Sequence, residues 1–194
     1  MSNILTARIH IQGIRPLLWH AFTPDAIPLE KKERSGVAGN DPAEWRRTVL
    51  LTEERRPYLP DTYLFGTLKE GAKFTKRGRG SIQSMLVSTL TVGDERVIIG
   101  HQPLPDPLTT DPTQPFYLDI RSVRNPVTKG RNVRYRVAAS IGWALTFAIS
   151  WDRTIISRGE MEAVVIDAGR LAGVGNGRQI GFGRFALESF VLTD

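Results

Sequence analysis

The chain has 194 residues, 41% of them hydrophobic, which suits one large domain or a small domain carrying a long insertion. It carries 26 basic against 20 acidic residues, and its pI near 10.0 favours a polyanionic partner, nucleic acid first and an anionic membrane second. The absence of cysteine excludes disulfides, thiolate catalysis and metal centres that need cysteine ligands.

The N-terminal residues lack the basic-then-apolar order of a signal peptide, and no segment is apolar enough to span a membrane, so we expect a cytoplasmic protein. Residues 4–12 alternate between apolar and polar side chains, which predicts a half-buried strand. Residues 20–60 contain five prolines and one short helix candidate that begins near Asp41 and extends to Leu51. A loop of this length in a compact domain is usually functional or mobile.

Periodicity predicts the elements in the middle of the chain. An apolar stripe that includes Leu64 and Leu68 predicts a helix over 61–76, with Lys69, Lys73 and Lys76 at helical spacing on a neighbouring face. The proline-rich residues 101–115 are predicted to form a loop. Strands are predicted at about 83–92, 95–100 and 116–123, and a β-hairpin is predicted at 131–151 around Ile141-Gly142.

The last two elements complete a recognisable order. A helix is predicted over about 157–172 and a strand over about 184–192. The chain therefore contains a βαββαβ order, which is the ferredoxin-like or RRM-type arrangement of an α+β fold, with both helices on one face of an antiparallel sheet and the other face open. We predict a single domain over 1–194, with insertions at about 20–60 and 101–130.

A glycine-rich loop joins that last helix to the last strand. It has five glycines among the eleven residues Gly173-Val-Gly-Asn-Gly-Arg-Gln-Ile-Gly-Phe-Gly183. Glycine at this density lets the backbone adopt positive φ and approach another chain closely, although a flexible helix end followed by a turn is the simpler alternative. A dinucleotide-binding loop follows a strand and opens a helix, the reverse of the order here. No P-loop sequence is present either.

These residues carry a resemblance. The form Gly-x-Gly…Gly-x-Gly-Arg between the last helix and the last strand resembles the signature of the RAMP superfamily, the CRISPR-associated repeat-associated mysterious proteins. The segment Tyr58-Leu-Pro-Asp-Thr-Tyr-Leu-Phe-Gly-Thr-Leu-Lys69 is similar to the Ile-Pro-Gly-Ser-Ser-Leu-Lys-Gly segment of RAMP proteins that form the crRNA-binding backbone of effector complexes, although Asp61-Thr-Tyr63 replaces the small residues there. The resemblance implies an RRM-like core, RNA held along its backbone, and head-to-tail assembly of copies, or of other effector subunits, along a guide RNA.

Basic residues fall into clusters that suit a phosphate backbone, although an ordinary solvated surface is the alternative for any one of them. Arg8 and His10 share one strand face, and Arg134 and Arg136 share another. Trp143, Phe147 and Trp151 share a strand face with Leu145 and Ile149, which predicts that they lie in the core. We therefore expect binding led by the RNA backbone rather than by base stacking. The residues predicted to contact RNA are Arg8, His10, Lys69, Lys73, Arg77, Arg124, Arg131, Arg134, Arg136, Gly175, Gly177, Arg178, Gly181, Gly183 and Arg184.

Catalytic signals are weaker than binding signals. One RAMP branch cleaves precursor crRNA by general acid–base catalysis, commonly with a histidine, and His20 follows the first strand, though it has no recognisable partner in the sequence. Another branch uses an aspartate in the loop after the first strand, where Asp25 and Asp41 lie without a distinguishing pattern. We assign no catalytic residue, metal or cofactor, and predict an RNA-binding protein. The alternatives are an endoribonuclease of the same superfamily and a structural or assembly protein that binds no nucleic acid.

Overall fold

The computed structural model of the protein describes residues 3–23, 41–124 and 129–193, which contain eleven strands and four α-helices. A π-helical turn at 168–172 continues the last α-helix, and a 3-10 turn covers 178–180. The strands are β1 (Ile4–Gly13), β2 (Leu17–Leu18), β3 (Tyr58–Pro60), β4 (Lys76–Arg77), β5 (Gly80–Ser81), β6 (Thr91–Val92), β7 (Arg96–Ile98), β8 (Phe116–Arg124), β9 (Arg131–Ala139), β10 (Ala144–Asp152) and β11 (Phe185–Thr193). The α-helices are α1 (Glu44–Thr48), α2 (Asp61–Gly71), α3 (Gln83–Thr89) and α4 (Arg158–Asp167). None of these helices has the length and apolar character needed to cross a bilayer.

The main sheet has four antiparallel strands in the order β11-β1-β10-β6. α2 lies between β1 and β6 in the chain, and α4 lies between β10 and β11. This is the strand order of a ferredoxin-like βαββαβ unit. The predicted α+β fold with a ferredoxin-like core is therefore confirmed.

The core of this unit follows from alternation along its central strands. Ala7, Ile9 and Ile11 of β1 are completely buried, and Phe147 and Ile149 of β10 lie opposite β1 residues of the same face. α2 and α4 cover that face with apolar side chains, each contributing on the order of 1.5–3 kcal/mol on full burial. The opposite face carries small and polar side chains, among them Thr6, Arg8, Thr146 and Ala148. The main sheet thus has one packed face and one open face.

α4 begins with a capping box. The Ser157 hydroxyl accepts a hydrogen bond from Glu160 N, and the Glu160 carboxylate accepts one from Ser157 N at 2.9 Å. Arg77, from the β4–β5 hairpin, donates its Nε to the same carboxylate at 2.6 Å. These bonds, the Arg77 contact foremost, lower the pKa of Glu160 to about 2.

Close helix packing positions the glycine-rich loop. α2 ends at Gly71, where a Cβ atom would lie 2.6 Å from Ala168 in the π-helical turn, so the two segments meet in contact that only glycine permits. Gly169 in the same turn approaches the carbonyl of Phe185 in the same way. The end of α4 is therefore fixed between α2 and β11, and the loop begins there.

The predicted hairpin over 131–151 is wrong as a pairing, although both of its strands exist. β9 belongs to a second sheet in the order β2-β9-β8, whereas β10 belongs to the main sheet. The chain crosses between the sheets at Ser140–Trp143, where Ser140 N donates to Pro115 O and Gly142 has a φ of 93°. Alternation along two successive strands predicted the strands but not their partners.

Two other predicted elements also differ from the structure. The strand predicted over 83–92 is wrong over α3, because Ile82, Leu86 and Leu90 recur every four residues and all three are buried against the core. The helix predicted over 61–76 ends at Gly71, so Lys73 and Lys76 lie beyond it.

Candidate nucleic-acid interface

The glycine-rich loop has a fixed, compact backbone. All five of its glycines have left-handed φ values, between 67° at Gly183 and 91° at Gly181. L side chains rarely adopt this region, so glycine is required for the path that the loop takes. A Cβ atom on Gly183 would lie 1.8 Å from Val174 O, and one on Gly175 would lie 2.7 Å from Leu18 O. The loop therefore folds against itself and against β2.

Hydrogen bonds hold the loop against the segment that follows β1. Asn176 N donates to Leu18 O at 2.8 Å, and Gly183 N donates to Pro16 O at 2.8 Å. Thr67 of α2 donates its hydroxyl to Gly173 O at 3.2 Å. The loop is thus a rigid bridge between β2 and α2, which suits a surface that must hold a ligand in one geometry.

A cavity of about 270 Å³, the loop pocket, lies between this bridge and the start of α2. The Nδ1 atom of His20 is buried there without a hydrogen-bond partner among the described residues. Burial is the main cause that lowers the pKa of His20, with Glu44 opposing it and Arg134 and Arg136 adding to it. The lining residues are His20, Thr62, Tyr63, Gly66, Thr67, Gly175, Asn176 and Arg178.

One side of the β8–β9 hairpin faces the loop and carries arginines. Arg121 lies opposite Arg134 in the ladder, and its guanidinium lies 4.7 Å from the ring centroid of Phe182 in the loop. Arg134 also donates to the carboxylate of Glu44 in α1. About half of the Arg121 side chain and over a third of the Arg134 side chain remain exposed. This loop-facing side of the hairpin extends the basic surface outward from the glycine-rich loop.

Arg136 lies beneath that surface. It is 4% exposed, and its guanidinium donates to Asp119 Oδ1 at 3.1 Å and to Asn176 Oδ1 at 2.7 Å. Asp119 is itself 4% exposed and lies directly opposite Arg136 in the ladder. The carboxylate of Asp119 pairs the charge of Arg136, and the bond to Asn176 connects the hairpin to the loop. Arg136 therefore positions the interface from below.

The structure brings several other predicted residues to the same region. Arg178 is exposed and lines both the loop pocket and an adjacent cavity of about 230 Å³. Arg184 lines that second cavity, and its Nη1 atom is buried without a hydrogen-bond partner among the described residues. Gly177 and Gly181 flank Arg178 in the loop, and Gly181 has open space where a Cβ would be.

The other predicted residues lie apart from the loop. Arg8 and His10 project from the open face of the main sheet, where His10 Nδ1 contacts Thr146 Oγ1 at 2.9 Å. Arg124 and Arg131 lie opposite each other at the far end of the β8–β9 hairpin.

Three basic residues near α2 are also separate from the loop pocket. Lys69 is exposed on α2, and Lys73 forms an ion pair with Glu70 at 2.7 Å. Arg77 bonds to Glu160 and also donates to Ile155 O. Arg121 and Arg134 also have carboxylate partners, so it is their position away from the glycine-rich loop that separates Lys73 and Arg77 from the interface.

Sequence reasoning missed three residues of the interface. Thr67 and Asn176 hold the loop in place, and Glu44 orients Arg134. Asn176 was the one with a visible signal, since it is the polar residue between two of the loop glycines. Of the aspartates that follow β1, Asp41 forms an ion pair with Arg47 at the start of α1, and Asp25 lies outside the described residues.

Comparison with known proteins gives a match in fold. No protein-family model matches the sequence, and no curated protein matches it. The structure is similar to a chain in the cryo-EM structure of the type III-B Cmr-beta bound to cognate target RNA, with a TM-score of 0.52 and 12% identity. The match covers 98% of this chain and 61% of that one, so this chain spans less than two thirds of its neighbour's length. The likeness establishes a shared fold over nearly the whole chain.

Proposed function

We propose that the protein is an RNA-binding subunit of the RAMP type, which holds RNA by its phosphate backbone in a CRISPR effector complex. The observation that carries this proposal is the rigid glycine-rich loop, bordered by Arg178 and by the arginines of the loop-facing side of the hairpin. Two further facts support it: the sequence motifs resemble those of RAMP proteins, and the fold is that of a chain from an RNA-bound Cmr structure.

The chemistry of the interface suits phosphate. Guanidinium groups donate paired hydrogen bonds to phosphate oxygens, and an exposed backbone that lacks Cβ atoms lets the RNA chain approach closely. Gly181 offers open space for such an approach, and Arg178 lies three residues before it. Arg124 and Arg131 lie on the other side of the hairpin from Arg121 and Arg134, because side chains alternate along a strand. The predicted residues that lie outside this path are therefore Arg8, His10, Lys69, Lys73, Arg77, Arg124 and Arg131. Binding should therefore be strong for any sequence and sensitive to salt.

Measuring affinity for a single-stranded RNA against salt concentration tests this function. Each phosphate contact contributes about −0.7 to the slope of log affinity against log salt for single strands. We expect Arg121→Gln combined with Arg178→Gln to make that slope shallower by about 1.4 and to weaken binding uniformly across RNA sequences.

A matched control uses Arg153→Gln combined with Arg158→Gln. Arg153 directly follows β10 and Arg158 is the first residue of α4, so neither belongs to the glycine-rich loop, and the net charge changes equally. This control should keep the slope of the unmodified protein. A slope near zero in the unmodified protein, or equal losses in both double variants, would contradict the proposed interface.

A second function, RNA cleavage, is favoured by one observation. The Nδ1 of His20 lies in the loop pocket without a partner among the described residues, and burial lowers the pKa of this imidazole, which favours the neutral form that can accept a proton. Incubating the protein with structured and with guide-paired RNA, with and without Mg²⁺, tests this alternative. Specific cleavage that His20→Gln abolishes without changing RNA affinity would make the protein an endoribonuclease. Absence of cleavage in every condition would leave RNA binding as its activity.

A further inference from the structure

A cavity larger than the loop pocket is separate from the interface above. It has a volume of about 730 Å³ and shares no lining residue with the loop pocket. One wall is the outer edge of β10 and the other is β7, while the buried side chains of Leu145 and Phe116 contribute to the floor. We refer to it as the strand slot. Its volume is in the range of ligand-binding clefts, about 300–1,000 Å³.

The wall formed by β10 has backbone groups without partners among the residues that the structure describes. β6 pairs with only Ile149 and Ser150 of this nine-residue strand. Gly13 N donates to Trp143 O at 2.6 Å. Because backbone N–H and C=O groups point to alternate edges along a strand, the odd-numbered residues of β10 bond to β1. The N–H and C=O groups of Ala144 and Thr146 consequently point into the strand slot.

Ala148, the next even-numbered residue of β10, shows which partners such backbone groups take. Ala148 N donates to Asp94 Oδ2 at 2.7 Å, and Ala148 O accepts from Gly93 N at 2.9 Å. A carboxylate and a backbone amide thus take the place of a neighbouring strand at Ala148 and close one end of the slot. At Ala144 and Thr146 no described residue does so.

The wall formed by β7 has the same property. Ile99 N donates to Pro57 O at 2.9 Å and Asp61 N donates to Glu95 O at 3.2 Å, so odd-numbered residues here bond toward β3. The backbone groups of Arg96 and Ile98 therefore point away from β3, toward the slot that these residues line. Two strand edges with unpaired donors and acceptors thus face one cavity.

One cation at the rim of the strand slot is unpaired among the described residues. Arg96 lies with its guanidinium 5.6 Å from the ring centroid of Tyr58 and forms no ion pair within the described part of the chain. The carboxylate of Asp94 lies at the end of the cavity that Ala148 closes, where it accepts from Ala148 N. An occupant should therefore present apolar groups inward and a carboxylate toward Arg96.

We propose that the strand slot receives an extended acidic peptide segment of a partner protein, which adds as a strand along β10. Main-chain hydrogen bonds to Ala144 and Thr146 would supply affinity, and alternate side chains would point to the apolar floor and to Arg96. The slot runs from about Trp143 to Thr146, which accommodates about four residues at roughly 3.3 Å each. Strand addition fits the β10 wall, because its outward backbone groups recur at alternate residues along an extended edge. The proposal does not depend on the RNA-binding function.

A peptide titration followed by amide NMR tests this site. The probe is acetyl-Glu-Val-Asp-Val-Glu-amide, and the expected result is saturable shifts of the Ala144, Thr146 and Ile98 amides with at least tenfold slower hydrogen exchange at Ala144 and Thr146. The same peptide with both valine nitrogens methylated lacks two backbone donors and should bind at least tenfold more weakly. Equal binding of the methylated peptide, or no shift at these amides, would overturn strand addition.

Reversing the charge of Arg96 tests the proposal in a second way. Arg96→Glu should weaken the acidic peptide at least tenfold and favour acetyl-Lys-Val-Lys-Val-Lys-amide, while Arg153→Glu, which makes the same charge change away from the slot, should leave both affinities unchanged. Shifts of the same three amides by oligouridine, with none by either peptide, would assign the slot to nucleic acid and refute the proposal.

Discussion

Gly181 and Gly183 lie two residues apart in the glycine-rich loop and share left-handed φ values of 91° and 67°, but their surroundings differ. Gly181→Ala places its methyl group in open space, so it should cost about 1–2 kcal/mol of unfolding free energy from backbone strain alone. Gly183→Ala drives a Cβ into Val174 O and should cost about 4 kcal/mol or more. Urea unfolding measures both, and similar costs for the two variants would contradict the folded loop.

Glu160 is a second single residue whose contribution can be tested, through the pH dependence of the unfolding free energy. Its pKa falls from 4.5 to about 2 on folding, so the carboxylate contributes stability above pH about 4.5 that is lost as the pH falls toward 2. Glu160→Gln should therefore lower the unfolding free energy at pH 7 by about 1–2 kcal/mol, allowing for partial exposure, and the difference from the unmodified protein should shrink below pH about 4.5. Urea unfolding across pH measures this, with Glu162→Gln as the control that keeps the capping box.

At the scale of the element, α2 contains two glycines with opposite surroundings. Gly66 lies mid-helix with nothing within 4 Å of a Cβ, so Gly66→Ala should raise the unfolding free energy by about 0.5–1 kcal/mol. Gly71→Ala brings a methyl within 2.6 Å of Ala168 and should lower it by about 1–3 kcal/mol. Thermal unfolding distinguishes the two. Stabilisation by both substitutions would mean that α2 does not pack against the π-helical turn.

The spacing of apolar residues predicted the helices and strands better than it predicted which strands pair with each other. β1, β8, α4 and β11 were predicted close to their observed bounds, because one face of each meets the core and alternation or helical spacing records that face. The strand predicted over 83–92 is the helix α3 instead: β-branched Val87 and Thr89 favour a strand locally, but Ile82 and Leu86 have helical spacing and are buried. The β9–β10 pairing failed because alternation does not encode which strand lies alongside.

The candidate site was predictable to the same extent. The glycine-rich loop and its position after a helix were visible in the sequence. The burial of Arg136 was not, since it depends on Asp119 across a ladder and on Asn176 in the loop, both distant in the chain. Which arginines stay exposed is decided by such long-range carboxylate and amide partners.

At the scale of the whole molecule, the head-to-tail assembly along RNA that the resemblance implies predicts a particle that contains several copies of the protein together with RNA. Purified protein should elute from size exclusion as a large particle with a high 260/280 nm absorbance ratio, because its basic surface retains RNA. Ribonuclease treatment should reduce the mass and the ratio together. Homogeneous oligomers with the absorbance ratio of pure protein, unchanged by ribonuclease, would instead indicate an assembly protein that binds no nucleic acid.

The position of β1 has a consequence for how the chain is made. β1 pairs on one side with β10 and on the other with β11, so Thr6 lies opposite both Ser150 and Thr193. Ribosomes add about 5–20 residues per second, so β1 is synthesised on the order of 10 seconds before its first partner, β10, and longer before its second, β11. During that interval a strand with one apolar face is exposed with both edges open, and folding that depends on such distant contacts is slow. The nascent chain should therefore depend on chaperone holding until its last strand is released from the ribosome.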